Sequence, residues 1–254
     1  MKPFALLSLL AVLLPVAAPA AALLVNGSFE NMTGGLPNNW TYSQGDGPAT
    51  VQSATASPFN NIYGSGSVSV LLTDGSSTAV TPDLIQSFAT QTGGILYAAW
   101  DFRMNSLTGN QWGVQIDDSV TSQTFFRMDN GGNFVVENAG GTTTTIMALT
   151  TNTWYQVQLS LDLSLKQLSG SITDEFGNVT SINNQMWRIL PGSSSLNRVV
   201  ILDNYLNTSQ SGSILFDNFA VDRTPFAPAA TPEPSRLVLL GCGLIGLMIR
   251  RRRM

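Results

Sequence analysis

The sequence predicts an all-β protein, an antiparallel two-sheet jelly-roll sandwich. Three observations carry that expectation. Apolar and polar residues alternate with period two through the centre of the chain, turns rich in Gly, Asn and Asp separate the alternating runs, and no long stretch has the 3.6 period of a helix.

Taken in order, the chain opens with Lys2, the apolar run Phe4 to Leu14, then Pro15 and the small residues Ala17 to Ala22. That is the layout of a secretory signal peptide, so residues 1–22 are expected to pass the secretion translocon and be removed by signal peptidase. The folded domain is then residues 23–224. Strands are expected at Leu23 to Val25, Thr50 to Ala54, Ser67 to Leu72, Leu84 to Phe88, Leu96 to Met104, Trp112 to Ile116 and Thr124 to Met128. They continue at Phe134 to Asn138, Trp154 to Asp162, Leu168 to Thr173, Val179 to Ile182, Val199 to Leu202 and Ile214 to Val221.

The pattern is cleanest in two places. Tyr155, Val157, Leu159 and Leu161 share one face against Gln156, Gln158, Ser160 and Asp162; Leu96, Ala98, Trp100, Phe102 and Met104 share one against Asp101 and Arg103. Asp129-Asn130-Gly131-Gly132-Asn133 and Asp174-Glu175-Phe176-Gly177-Asn178 read as hairpin loops, because Gly and Asn tolerate positive φ. Strict alternation through Ile214 to Val221 sets Asp217 beside Leu215, Phe219 and Val221, where an ionised carboxylate is costly unless paired or bound to a cation.

Beyond the domain, residues 225–231 form a Pro-rich linker and residues 232–254 a distinct tail. The tail holds Pro232-Glu233-Pro234, thirteen apolar or small residues from Leu237 to Ile249, expected to form a short transmembrane helix, and then Arg250, Arg251, Arg252 and Arg253. Thirteen helical residues cover about 20 Å against roughly 30 Å of hydrocarbon, short for a lasting anchor.

Charge and composition narrow the partners. Residues 23–231 carry six basic and fifteen acidic side chains, a net charge of −9, with no basic patch, which excludes nucleic acid as a partner. The surface is built from Ser, Thr, Asn, Gln and Gly, groups that suit extracellular polysaccharide. Histidine is absent and the single cysteine, Cys242, lies in the tail, which removes Ser-His-Asp and Cys-His chemistry and disulfides from the domain. The adjacent acids Asp117-Asp118 and Asp174-Glu175 would point to opposite faces of a strand, so neither flanks one glycosidic bond. On these grounds a non-enzymatic domain is expected.

Pro-Glu-Pro, a short apolar segment and a terminal arginine cluster, together with a signal peptide, resemble the PEP-CTERM proteins of bacteria that make extracellular polysaccharide. The resemblance implies that Pro232, Glu233 and Pro234 are read by a membrane-embedded exosortase while Arg250 to Arg253 stop the chain at the cytoplasmic side. It implies export through the inner membrane, transient C-terminal anchoring, then release to the cell surface or extracellular matrix.

Ahead of the tail, Asn26-Gly27-Ser28-Phe29-Glu30, Leu36-Pro37-Asn38-Asn39-Trp40 and Phe216-Asp217-Asn218-Phe219-Ala220-Val221 are similar to the start and finish of galactose-binding-like carbohydrate-binding modules. Thr153-Trp154-Tyr155, Asp162 and the hairpin at 174–178 look more like concanavalin A-like, laminin-G-type sandwiches, which carry no match here to the Glu-x-Asp-x-x-Glu string of their glucanases. The first resemblance implies a structural calcium held by Glu30, Asp217 and the Gly27 carbonyl. Trp40 with Tyr42, and Trp112 with its amide neighbours, are the candidates for stacking on sugar, although both tryptophans suit the core better. The leading expectation is an exported surface or matrix protein with a carbohydrate-binding sandwich; the alternatives are a polysaccharide-active hydrolase or lyase, or an adhesion protein without sugar affinity.

Intact-mass measurement of the protein recovered from its native host's envelope is expected to show a C-terminus near Pro234. Persistence of Leu237 to Met254 in the exported material contradicts sorting.

Overall fold

The computed structural model describes residues 22–43, 50–59, 66–74, 82–106, 112–118, 123–188, 195–203 and 212–226. Residues 1–21 of the expected signal peptide (1–22), residues 227–231 of the expected linker and all of the expected sorting segment 232–254, with its expected helix, lie outside the described residues.

Sixteen strands run in chain order as β1 (Met32–Thr33), β2 (Leu36–Pro37), β3 (Thr41–Ser43), β4 (Gln52–Ser53), β5 (Ser69–Asp74), β6 (Asp83–Thr92), β7 (Ile95–Met104) and β8 (Trp112–Asp117), then β9 (Thr124–Met128), β10 (Asn133–Glu137), β11 (Thr143–Ala148), β12 (Trp154–Asp162), β13 (Gln167–Asp174), β14 (Val179–Met186), β15 (Ser195–Asp203) and β16 (Gly212–Asp222). Apart from the small β1-β2 ladder they form two seven-stranded sheets, ordered β11-β10-β9-β8-β15-β6-β3 and β14-β13-β12-β7-β16-β5-β4. Every pairing is antiparallel. The fold is the two-sheet sandwich that the alternation predicts.

The two clean runs behave as read. Tyr155, Val157, Leu159 and Leu161 of β12 and Leu96, Ala98, Trp100, Phe102 and Met104 of β7 all point into the common core. Aromatic rings join the layers there. Trp100 stacks on Phe219 at 5.4 Å and meets Phe126 of the opposite sheet at 5.3 Å. Phe102 stacks on Tyr155 at 5.4 Å and on Phe134 across the interior at 5.9 Å. Burying such large rings supplies the apolar area a domain without disulfides depends on.

Both hairpin loops share one device: Asp129 Oδ1 accepts from the Gly131 and Asn133 amides, and Asp174 Oδ1 accepts from the Phe176 and Asn178 amides. Gly132 and Gly177 take the positive φ that closes each turn.

Three elements depart from expectation. Leu23 to Val25 is not a strand; it is tied across the layers instead, with Leu23 N–H on the Val221 carbonyl and Val25 N–H on Gln86 Oε1. β11, at the edge of its sheet, escapes the period-two reading because Thr143 to Ala148 is half exposed and its large apolar residues, Ile146 and Met147, are adjacent rather than alternating. In β16 the register shifts between Asp217 and Ala220, and Asn218 sits at φ 55°, so a bulge resets the alternation. Phe219 and Val221 therefore face the core, while Asp217 and Leu215 face outward.

Candidate functional site

The outer face of the β7-β12-β16 sheet carries the chemistry. Strand register sets Asp101 of β7 directly opposite Asp217 of β16 and Gln156 of β12. Both carboxyls are fully buried. Two residues bridge them. Ser57 gives its N–H to Asp217 Oδ2 at 2.9 Å and its hydroxyl to Asp101 Oδ2 at 2.7 Å. Asn218, presented by the bulge, gives its N–H to Asp217 Oδ1 at 2.7 Å and Nδ2 to Asp101 Oδ2 at 2.6 Å. Gln156 Nε2 reaches Asp101 Oδ1 at 3.1 Å and Gln158 Nε2 reaches Gln156 Oε1 at 3.1 Å, so a hydrogen-bonded chain leads out from the buried pair.

The chain ends on an open strip of the same face. Gln158 pairs with Ser171 and Ala99, and Ser160 with Ser169 and Tyr97, all half-buried except the buried Ala99. Hydroxyls and amides on a sheet face, with one tyrosine, form a surface suited to sugar hydroxyls. On the other side the pair is covered by residues 55–59, whose Phe59 packs with Trp154, Leu215 and Leu71 in a small apolar cluster.

Electrostatics sets the acids apart. Burial pushes Asp101 up to about 7, against hydrogen bonds from Ser57, Asn218 and Gln156. Burial likewise lifts Asp217 to about 7, with the Asp101 and Glu30 charges adding to it and the Ser57 and Asn218 amides opposing. Glu30 goes the other way: its slight burial works to raise it, but the Ser67 hydroxyl and the Val68 and Ser67 amides hold its carboxyl below the ordinary value. Glu30 is exposed and lies close to Asp217, for a Cβ on Gly66 would stand 2.7 Å from Glu30 Oε1 and 3.8 Å from Asp217 Oδ2.

Of the residues expected to hold calcium, Glu30 and Asp217 are thus brought together, but the Gly27 carbonyl is occupied by the Phe219 N–H at 2.7 Å. Among the described residues no three His, Cys, Asp or Glu side chains form a ready metal cluster. The sugar-stacking expectation is corrected at both tryptophans. Trp112 is wholly inside the core, and Trp40 packs on Phe29 and Phe219 with its Nε1 on the Asn26 carbonyl, so neither presents a ring face to solvent. Tyr42, half-buried, leans against the same core.

The other charged groups are engaged elsewhere. Asp117 holds Arg198 through two bonds of 2.8 and 2.9 Å, and Glu137 holds Arg188 at 2.9 Å. A shallow depression of about 450 Å³ is lined by Gly34, Gly35, Thr50, Gln52, Ala54 and Val68, none of them ionisable, and the Val68 N–H bonds Glu30 Oε1.

No family model matches the chain, and no curated protein matches it in sequence. Solved structures do match. The catalytic domain of a glycoside hydrolase family 131 protein from Coprinopsis cinerea superposes with TM-score 0.61 at 15% identity, over 85% of this chain and 100% of that one. A sialidase superposes with TM-score 0.55 at 10% identity over 73% of this chain, which spans 17% of the sialidase's length. Peanut lectin reaches TM-score 0.48 at 11% identity, over 79% of this chain and 97% of the lectin.

The first of these likenesses shows the fold alone, a jelly-roll β-sandwich shared with the catalytic domain of a glycoside hydrolase. The expectation of a non-enzymatic domain is accordingly overturned. That expectation rested on carboxylates along single strands, whereas Asp101 and Asp217, far apart in sequence, meet across β7 and β16. The one sequence signal was at Asp217, which strict alternation sets among apolar residues where a lone carboxylate calls for a partner; Asp101 reads as a wet-face residue.

Because both acids hold protons in the folded state that the unfolded chain releases near its ordinary value of 3.8, stability is greatest at low pH and is lost as pH rises from there through about 7. Asp83, lifted to about 6 by burial, adds to the lower part of the same window. The Tm is expected to fall between about pH 5 and about pH 8, and to fall less in Asp217→Asn; a Tm that climbs over that range contradicts the assignment.

Proposed function

We propose that this domain is polysaccharide-active, binding a neutral glycan on the strip around Gln158, Ser160, Ser171 and Tyr97 and cleaving it with the adjoining acids. The observation that carries the reading is the approach of two unlike carboxyls: buried Asp217, lifted to about 7, lies near exposed Glu30, which Ser67 and Val68 hold below its ordinary value. Glycoside cleavage asks for that combination, an acid that protonates the leaving oxygen and a carboxylate that attacks or activates water. Asp217 is the acid in this reading and Glu30 the carboxylate. Asp101, itself lifted to about 7 by burial, is a positioning residue tied to Asp217 through Ser57 and Asn218. Neutral rather than acidic sugar follows from charge, since the strip itself carries no cation and the nearby Arg103 donates to Asn152 Oδ1.

The C-terminal motif supports an address for that activity: export, temporary retention by the short apolar segment, and exosortase release into the envelope or matrix.

Incubation with neutral polysaccharides of differing linkage is expected to release new reducing ends, with Asp217→Asn slower by about 100-fold or more. Binding without any release, or full activity in that variant, overturns the hydrolytic reading. A second reading rests on Asn218 Oδ1, a buried oxygen with no hydrogen-bond partner beside the acid pair. With Glu30 and Asp217 it supplies hard oxygens of the kind calcium takes. Calcium is expected under that reading to raise Tm and EDTA to lower it; no response to either removes calcium, whereas a strong response removes Asp217 from the acid role.

A further inference from the structure

We infer that Phe176, at the tip of the β13-β14 hairpin, is an aromatic platform on which a neutral glycan lying across the outer face of β14, β13, β12 and β7 rests one of its sugar rings. This deepens the polysaccharide reading and rests on it for the partner, but the acids have no part in it.

Exposure singles this residue out. All five tryptophans are buried, whereas Phe176 is 75% exposed and is the only aromatic among the large hydrophobic side chains left exposed in the described residues. Its backbone is closely tied. Asp174 Oδ1 accepts from the Phe176 N–H at 3.0 Å and the Asn178 N–H at 2.8 Å, and Asp174 Oδ2 accepts from Asn178 Nδ2 at 2.8 Å. The Gly177 N–H bonds the Asp174 carbonyl, and the Glu175 N–H fastens the tip to the Trp154 carbonyl of β12, both at 3.0 Å. A ring held on so constrained a loop gives up little freedom on binding, which makes it an efficient contact.

Register aligns the tip with the polar strip. Val179, itself exposed, stands opposite Thr173, Thr173 opposite Gln156, and Gln156 opposite Asp101, so these four share the outer face in one row. The next row is Ser181, Ser171, Gln158 and Ala99. Phe176 sits just beyond the β13 end of the first row. Three strand spacings of about 4.8 Å separate β13 from β16, so the ring and the acids stand about 14 Å apart across the sheet, a span that a glycan chain covers and a single sugar does not. Charge then selects among polymers. Asp174 and Glu175 flank the ring and residues 174–186 include no Lys or Arg, which disfavours acidic glycans and anionic lipid headgroups. A neutral glycan meets no such repulsion: the apolar face of a pyranose lies on the ring while its hydroxyls meet the Ser, Thr and Gln side chains of the rows.

The test is electrophoresis of the protein through gels containing a soluble β-glucan, xylan, galactomannan or dextran, with Phe176→Ala, Phe176→Leu and Phe176→Tyr run alongside. At least one polymer is expected to retard the wild type. Phe176→Ala and Phe176→Leu are expected to bind that polymer roughly 5- to 10-fold more weakly, and Phe176→Tyr to bind it as the wild type does, because the contact needs a flat ring and not merely an apolar one. Each variant is expected to keep the wild-type Tm, since the side chain is exposed. Wild-type affinity in Phe176→Ala or Phe176→Leu overturns the inference and leaves the polysaccharide reading standing; retardation by no polymer overturns both. Phe176-dependent self-association, or Phe176-dependent binding to phosphatidylglycerol-phosphatidylethanolamine vesicles, with glycan affinity unchanged, also overturns it. In the wild type alone, the retarding polymer is expected to shift the Phe176 ring-proton resonances, and a ring that does not respond overturns the inference without recourse to any variant.

Discussion

Two aspartates face each other across neighbouring strands, out of contact with water, and their coexistence is the constraint around which this part of the sandwich is arranged. Asp101 and Asp217 receive hydrogen bonds from Ser57, Asn218 and Gln156, yet burial still holds both well above an ordinary aspartate. Donors alone do not compensate the loss of water around two like charges; a retained proton does. The neighbours are amides and a hydroxyl, which tolerate either charge state of the pair, whereas Asp117 is held by the Arg198 guanidinium.

The aromatic interior and the acid pair are two sides of the same strands. Trp100 and Phe102 pack inward on either side of Asp101, and the bulge at Asn218 lets Phe216 and Phe219 both reach the core while Asp217 turns out. Without the extra residue, strict alternation would put Phe219 on the acid face. The bulge also delivers the Asn218 amide to both carboxyls, so one local irregularity aligns the core and completes the site.

Much of the fold was legible because its strands have one buried face: β7 and β12 announce themselves by alternation, and the Asp129 and Asp174 loops by their turn residues. What escaped had physical reasons. β11 is a half-exposed edge whose Ile146 and Met147 are adjacent rather than alternating, and the Leu23 to Val25 segment is held by side-chain and single backbone bonds rather than a ladder. Glu30 and Asp217 were recognisable as neighbours only through resemblance to other sandwiches, whereas Asp101, Ser57 and Gln156 were invisible as a site because pairing across strands leaves no spacing to read. Trp40 and Trp112 misled for the opposite reason, as amide neighbours that suggest sugar contact say nothing about which way a ring points.

Residues 23–224 hold no histidine or cysteine, so carboxylic acids are the side chains left to give and take protons there near neutral pH. The central claim is open to direct observation by following the side-chain carboxyl ¹³C shifts of Asp101 and Asp217 through a pH titration by NMR. The account predicts midpoints displaced to about 7 and coupled to one another. Independent titration of both groups near the ordinary value of 3.8 would contradict it.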